Sequence, residues 1–174
     1  MSDVAVAETP AAPVEPERHA GALVTRSRDQ ECLHPGVADY VTVVAALKAE
    51  GYAQASDLCA VDYLTYEATR GLPDGIAAER YEVVVNLLSY APKRRIRVRV
   101  QVAAADPTIA SLYGLYPGVE AMEREAYDLM GITFTGHPDL TRILMPDGWD
   151  GHPLRKDYAT GRIPVQFKGA PQPR

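Results

Sequence analysis

Glu123 and Glu125 stand two residues apart in EREAYD, and two carboxylates that close are what general acid–base catalysis uses. On a helix, however, residues two apart point about 200° away from each other, so this pair cannot converge on one substrate. Arg124 has Glu120 four residues before it and Asp128 four after, a spacing that predicts an ion-paired helix face with Arg124 held between the two. Glu123 and Glu125 fall on the borders of the helix's apolar stripe, placed to accept hydrogen bonds from whatever covers it. His137 and His152 each stand in the context GHP, 15 positions apart and without the i, i+4 spacing of a zinc helix, which predicts turn histidines bonded to backbone. Cys32 and Cys59 lie outside any CxxC pair, so they are read as reduced, buried thiols rather than ligands of zinc or an iron–sulfur cluster. No GxSxG elbow, GxGxxG turn or Walker loop occurs. A hydrolase built on Glu123 or Glu125 with His137 is the catalytic alternative, and the helix geometry counts against it. The expectation is a binding or scaffolding chain with no catalytic, cofactor-binding or metal site of its own.

Composition agrees with that class. The chain has 174 residues, 47% hydrophobic and 24% charged, and no apolar run approaches the ~18 to 20 residues that span a bilayer. Its first 20 residues, rich in Ala, Pro and Glu, read as a disordered tail and not as a secretory signal, which places the chain in the cytoplasm. A net charge of −5 gives no general drive toward nucleic acid, so a partner is expected to be protein. Arg94, Arg95, Arg97 and Arg99 form the one basic cluster. It is read as a solvated sheet face or charge-blunted edge strand, with a docking patch for an acidic partner as the alternative.

The elements that must position these residues follow from periodicity. GVADYVTVVAALKAEG repeats apolar residues at helical spacing and ends at Gly51. DLCAVDYLTYEA reads as a strand broken by RGLPDG, and RYEVVVNLLSY with IRVRVQV reads as an antiparallel hairpin whose Ile96, Val98, Val100 and Val102 face one side. After Asp106-Pro107 a short helical stretch to Tyr116 is expected. PGVEAMEREAYDLMG is then a helix with Val119, Met122, Ala126, Leu129 and Met130 as its stripe, closed by Gly131. Helix, strand, hairpin and helix in that order predict an α+β two-layer sandwich, helices on a mainly antiparallel sheet. The expected organisation is a tail over 1–20, a core domain over 21–134 and an extended C-terminal segment over 135–174.

Beyond residue 134 no period survives: six of the 14 prolines and five glycines fall there. Yet Leu140, Ile143, Leu144, Trp149 and Leu154 are scattered through it. Ordering such a segment costs about 1 to 2 kcal/mol per residue in backbone entropy, with no ladder to offset it. The expectation is that these side chains anchor the segment on a partner protein, with Arg155, Lys156 and Asp157 at the polar margin; wrapping of its own domain is the competing reading.

The run EREAYDLMGITFTGHPDLTRILMPDGWDGHPLRKDY, residues 123–158, resembles the signature of the 30 kDa subunit of the proton-pumping NADH–quinone oxidoreductase, respiratory complex I. An ERE-x-YD-x-x-GI helix end, a GHP-x-L-x-RIL-x-P turn and a W-x-G-x-PLRKDY finish occur in order. Met130, where an aromatic is common, and Ala121-Met122 depart from the pattern at packing positions. The resemblance implies a cofactor-free member of the peripheral arm on the cytoplasmic side of the membrane. It would pack against the large quinone-site subunit and the neighbouring iron–sulfur subunits, while FMN, iron–sulfur clusters and quinone belong to those other proteins. The implied interface comprises Glu123, Arg124, Glu125 and Asp128 of the helix, then His137, Pro138, Leu140, Arg142, Ile143 and Leu144. It continues through Trp149, Pro153, Leu154, Arg155, Lys156, Asp157 and Tyr158. The equivalent subunit of a membrane-bound hydrogenase is an alternative; there the domain is often fused to the large subunit, whereas this chain ends about 16 residues after RKDY. A stand-alone adaptor using Arg94 to Arg99 is the third reading.

Overall fold

Alternation of apolar and polar residues, clearest in IRVRVQV, sets the sheet, and two helices close its inner face. The computed structural model describes residues 15–161 except 67, 92 and 160. Strands β1 (Arg18–His19), β2 (Ala22–Ser27), β3 (Gln30–His34), β4 (Gln54–Asp62), β5 (Tyr81–Ser89) and β6 (Arg94–Val102) form one sheet in the order β1-β2-β3-β6-β5-β4. All neighbours are antiparallel except β3 and β6, which run parallel. Helices α1 (Tyr40–Ala49) and α2 (Glu120–Met130) share a single hydrophobic core with the sheet. The fold is thus an α+β two-layer sandwich on a mainly antiparallel sheet.

In β6, Ile96, Val98, Val100 and Val102 are fully buried, while Arg97 and Arg99 point to the other face. The core meets them with Tyr40, Val43, Val44 and Leu47, the inward stripe of α1. That helix is shorter at its start than periodicity suggested: Val37 is exposed. The strand expected over 57–68 lies at 54–62, with a bulge between Ala55 and Asp57. The stretch before Tyr116 is not helical; it contains β7 (Thr108–Ala110), which pairs parallel with β8 (Thr133–Thr135) and so brackets α2.

Two expectations are corrected. The arginine cluster is not an edge strand, because β6 lies inside the sheet, and it is solvated only at Arg94 and Arg95, while Arg97 and Arg99 are half-buried. Arg97 donates to Asn86, and Arg99 donates through Nε and Nη2 to the buried Glu82 at 2.8 and 3.1 Å. Arg99 also reaches the Arg70 carbonyl, and Arg70 stacks 4.2 Å from the Tyr63 ring, which ties the long loop over residues 63–80 onto the outer face. Within the stretch read as a tail, Arg18–His19 are already strand, and the β2–β3 hairpin passed unread. Its two-residue turn, Arg28-Asp29, has φ of 48° and 66°, the mirror-image geometry that suits a right-twisted hairpin although neither residue is glycine. The remaining tail residues, 1–14, and residues 162–174 of the C-terminal segment lie outside the described residues.

Candidate functional site

Helix α2 begins after a 3-10 turn at Pro117–Val119 and ends at Gly131, whose φ of 72° lets the chain leave sharply. A helix leaves its last four carbonyls without intrahelical partners. Gly131 N–H takes that of Tyr127, at 2.8 Å. The other three are taken by residues from far along the chain. The Asp128 carbonyl lies 2.9 Å from His152 Nδ1, the Leu129 carbonyl accepts from Leu154 N–H at 2.9 Å, and the Met130 carbonyl accepts from Arg155 Nε at 2.6 Å. The C-terminal segment is therefore the cap of α2. Arg155 places its charge at the negative end of the helix dipole. A Cβ on Gly131 would overlap Arg155 Nη2 and lie 2.6 Å from His152 Nε2, so this close approach needs glycine.

The side chain of Asp128 organises the middle of the segment. Its Oδ2 accepts three consecutive backbone N–H bonds, from Ile143 (3.0 Å), Leu144 (2.7 Å) and Met145 (2.9 Å), and Oδ1 accepts from Arg142 Nη1 at 3.0 Å. Such a concave run of N–H groups is an anion nest, here filled by the protein's own carboxylate. Burial pushes the Asp128 carboxyl up, but the Met145, Leu144 and Ile143 N–H groups and the Arg142 guanidinium outweigh it and hold the group below the ordinary carboxylate value. Arg142 continues to the Gly151 carbonyl at 3.0 Å.

A second buried carboxylate, Asp62 at the end of β4, holds the finish. It accepts from Lys156 N–H at 2.9 Å and twice from Arg80, which also reaches Asp157 at 2.8 Å. Burial raises Asp62, and Arg80 together with the N–H groups of Lys156 and Leu64 pulls it down by more. Tyr158 closes over Gly151, where a Cβ would come within 2.9 Å of its ring.

Glu123 is wholly buried, accepting from Ser111 Oγ at 2.5 Å and Leu112 N–H at 2.7 Å, whereas Glu125 is exposed. Burial drives the Glu123 carboxyl above its ordinary value despite these donors. His137 Nε2 stands 4.0 Å from Glu123 but bonds the Glu120 carbonyl at 3.1 Å, and its Nδ1 receives the Asp139 N–H. The structure thus brings together Glu123 and His137, the pair of the hydrolase alternative, and leaves Glu125 apart. Both side chains are sealed from solvent, and the hydrogen-bonding atoms of each already have protein partners.

Arg124 is not held between Glu120 and Asp128. Its guanidinium bonds the Thr141 carbonyl and hydroxyl (3.0 and 2.8 Å) and the Arg142 carbonyl (3.2 Å), because Asp128 is turned inward and taken by the segment. The expectation that the scattered apolar residues rest on a partner also needs correcting for part of the segment. Leu140 packs on the chain's own core, and Trp149 is half-buried with its indole N–H enclosed and unpartnered. Pro153 is half-buried and Pro138 exposed. Ile143, Leu144 and Leu154 do face outward, with 41%, 58% and 47% exposure. Leu154 adjoins a groove of about 240 Å³ between α2 and β4, lined also by Leu58, Met122 and Leu129. Hydrogen bonds thus tie the segment to its own domain, with Leu140 on the core, while Ile143, Leu144 and Leu154 stay outward. Cys59, expected buried, is exposed on β4 beside that groove. Among the described residues no cluster of His, Cys, Asp and Glu is placed to hold a metal ion, and no helix is long and apolar enough to cross a membrane.

Sequence reasoning missed Asp62, Arg80 and Glu82. Acidic residues inside apolar strand runs, AVDY and YEVVV, were the available signal.

The family model for "Respiratory-chain NADH dehydrogenase, 30 Kd subunit" matches residues 35–163. Among curated proteins, an NADH-quinone oxidoreductase subunit from Salinispora arenicola is 48% identical over 118 residues, 68% of this chain and 44% of that protein. The protein of the same name from Mycolicibacterium gilvum is 58% identical over 87 residues, 50% of this chain and 38% of that one. The match thus spans less than half the length of these relatives. Among solved structures, a trypsin-resistant fragment (1-134) of Nqo5 superposes with a TM-score of 0.61 at 32% identity, over 69% of this chain and 90% of the fragment. A chain of the archaeal membrane-bound sulfane sulfur reductase shares the fold, with a TM-score of 0.66 at 16% identity over 86% of this chain and 88% of that one.

Proposed function

The chain belongs to the respiratory-chain NADH dehydrogenase 30 Kd subunit family, and from that premise we propose that it is a non-catalytic scaffold subunit of NADH-quinone oxidoreductase. It contributes a docking face to the peripheral arm on the cytoplasmic side of the membrane. Its partners are the large quinone-site subunit and the neighbouring iron–sulfur subunits, which with the rest of the complex carry electrons from NADH to quinone. FMN, the clusters and quinone reside on those other subunits, and this chain binds none of them.

One observation carries the reading. Asp128 and the carbonyl end of α2 take the N–H groups of residues 143–145 and 154 and the side chains of Arg142, His152 and Arg155, and leave Ile143, Leu144 and Leu154 outward, Leu154 at the groove between α2 and β4. Exposed apolar side chains on an ordered, irregular segment are what a partner's surface covers. The α2 network contributes position, not chemistry: it fixes the segment's backbone and keeps water from its buried carboxylates.

The double variant Ile143→Asp/Leu144→Asp tests it. Both side chains are exposed, so isolated-chain stability should change by no more than about 0.5 kcal/mol. Recovery of the chain with its complex, pulled down from native membranes and quantified by mass spectrometry, should fall severely. Normal stoichiometry in that pull-down would overturn the proposal.

A further inference from the structure

We propose that the turn end of the sheet is a second docking surface, independent of the α2 site, that takes an acidic protein segment on a wall made by Arg28, Lys93, Arg94 and Arg95. The parallel pairing of β3 with β6 aligns Glu31 with Ile96, so the β2–β3 turn and the β5–β6 turn emerge side by side. Between them and the end of α1 lies a cleft of about 770 Å³.

Charge is distributed unevenly over this molecule. Its net charge is −5, yet five Lys or Arg side chains line this cleft against three carboxylates. Arg80, Arg99 and Arg142 all have carboxylate partners in their own chain. Within the cleft, Arg26 pairs with Glu17 and Glu31, and His19 sits between Glu31 and Glu50 at 3.0 and 2.8 Å. Two of the three carboxylates are therefore engaged with His19 and Arg26. Among the described residues, Arg28, Lys93, Arg94 and Arg95 form no ion pair, although all four line the same cleft. Their mutual repulsion is relieved by carboxylates from outside. Arg28 and Lys93 also occupy left-handed backbone, with φ of 48° and 49°, where glycine or asparagine would cost about 1 kcal/mol less. Cations thus stand at two turn positions that backbone preference alone would give to other residues.

The shape selects the class of ligand. A concave cleft with carboxylates on its far wall does not present the flat cationic plane that suits anionic lipid headgroups. Tyr52 is the one Tyr, Phe or Trp lining the cleft and it is buried, so there are no exposed rings for the serial stacking that holds single-stranded nucleic acid. An extended peptide with Asp or Glu toward the arginines fits a concave basic cleft without exposed rings.

The test uses the full chain and a labelled oligoglutamate peptide of about ten residues, read by fluorescence anisotropy. Binding should weaken about tenfold or more in Lys93→Glu/Arg94→Glu/Arg95→Glu and fall steeply with salt, while Arg94→Lys/Arg95→Lys stays within about twofold. Circular dichroism confirms that the variants fold. In native membranes, zero-length carbodiimide coupling should join Lys93 to an Asp or Glu of another chain. The proposal is overturned if the reversal leaves peptide binding unchanged, or if phosphatidylglycerol vesicles or oligo-dT bind more tightly and lose binding in the same variant. Coupling of Lys93 only within its own chain would overturn it equally. Because the α2 segment is untouched, loss here with normal Ile143/Leu144 behaviour separates the two surfaces.

Discussion

The two helices of this fold are close in length and unlike in what they bury. α1 buries Tyr40, Val43, Val44 and Leu47, all in the apolar core it shares with the sheet. α2 buries Glu123 and Asp128 beside Ala126 and Met130. The first closes the core. The second accepts the cost of desolvating carboxylates and in exchange fixes a stretch of chain that has no secondary structure of its own. Stability and positioning are thus assigned to different helices, and perturbing each should have a different outcome.

The largest effect is expected from Leu47→Ala, a fully buried deletion on α1 that should cost about 2 to 5 kcal/mol by urea denaturation, with the whole chain unfolding in one transition. If only the C-terminal segment were released, the division of labour would be wrong.

Acid should separate the regions next. His34 is buried in the sheet, with Nε2 on Thr25 and Nδ1 unpartnered. Burial, then the nearby Arg99, lowers it from 6.5 to about 4. The unfolded chain binds the proton first, so stability falls as pH drops from about 6.5 to about 4, by on the order of 3 kcal/mol in all. Asp128 and Asp62 are depressed instead, so the hold they give is complete above the ordinary carboxylate range and is lost only below about pH 4. Global stability should therefore decline first, and His34→Gln should flatten that limb. Release of residues 136–158 at pH 5 in an otherwise folded chain, seen by hydrogen exchange, would contradict this order.

Asp128→Ala comes third, at about 2 to 3 kcal/mol, limited because the freed N–H groups of Ile143, Leu144 and Met145 can find water once the segment lifts. Limited proteolysis should cut within residues 136–158 while the sheet survives. Smallest is Arg124→Ala, about 1 kcal/mol for three bonds at a half-exposed position, with the same local signature.

The contrast also explains what the sequence revealed. Alternation in β5 and β6 and the 3.6-residue period of α1 gave the α+β sandwich, because apolar side chains bury by type and spacing. The buried carboxylates were opaque for the same reason: Asp128 looked like a partner for Arg124 four residues away, and nothing local says that the N–H groups of residues 143–145 claim it first. Glu82 and Asp62 hid inside strand patterns as polar positions presumed solvated. The β2–β3 hairpin was missed because its turn carries Arg-Asp where Asn-Gly would have announced it. Family resemblance singled out residues 123–158, but only coordinates distinguish the residues that grip their own helix from the three that face outward.

Three amide hydrogens converging on one oxygen of Asp128 have a kinetic corollary. The ordering entropy of residues 143–145, about 1 to 2 kcal/mol each, is settled when the chain folds and not when something lands on Ile143 and Leu144. Association there begins from a rigid template, so encounters need no search among loop conformers, and loosening the nest would shorten residence times on the partner before it disturbed the fold.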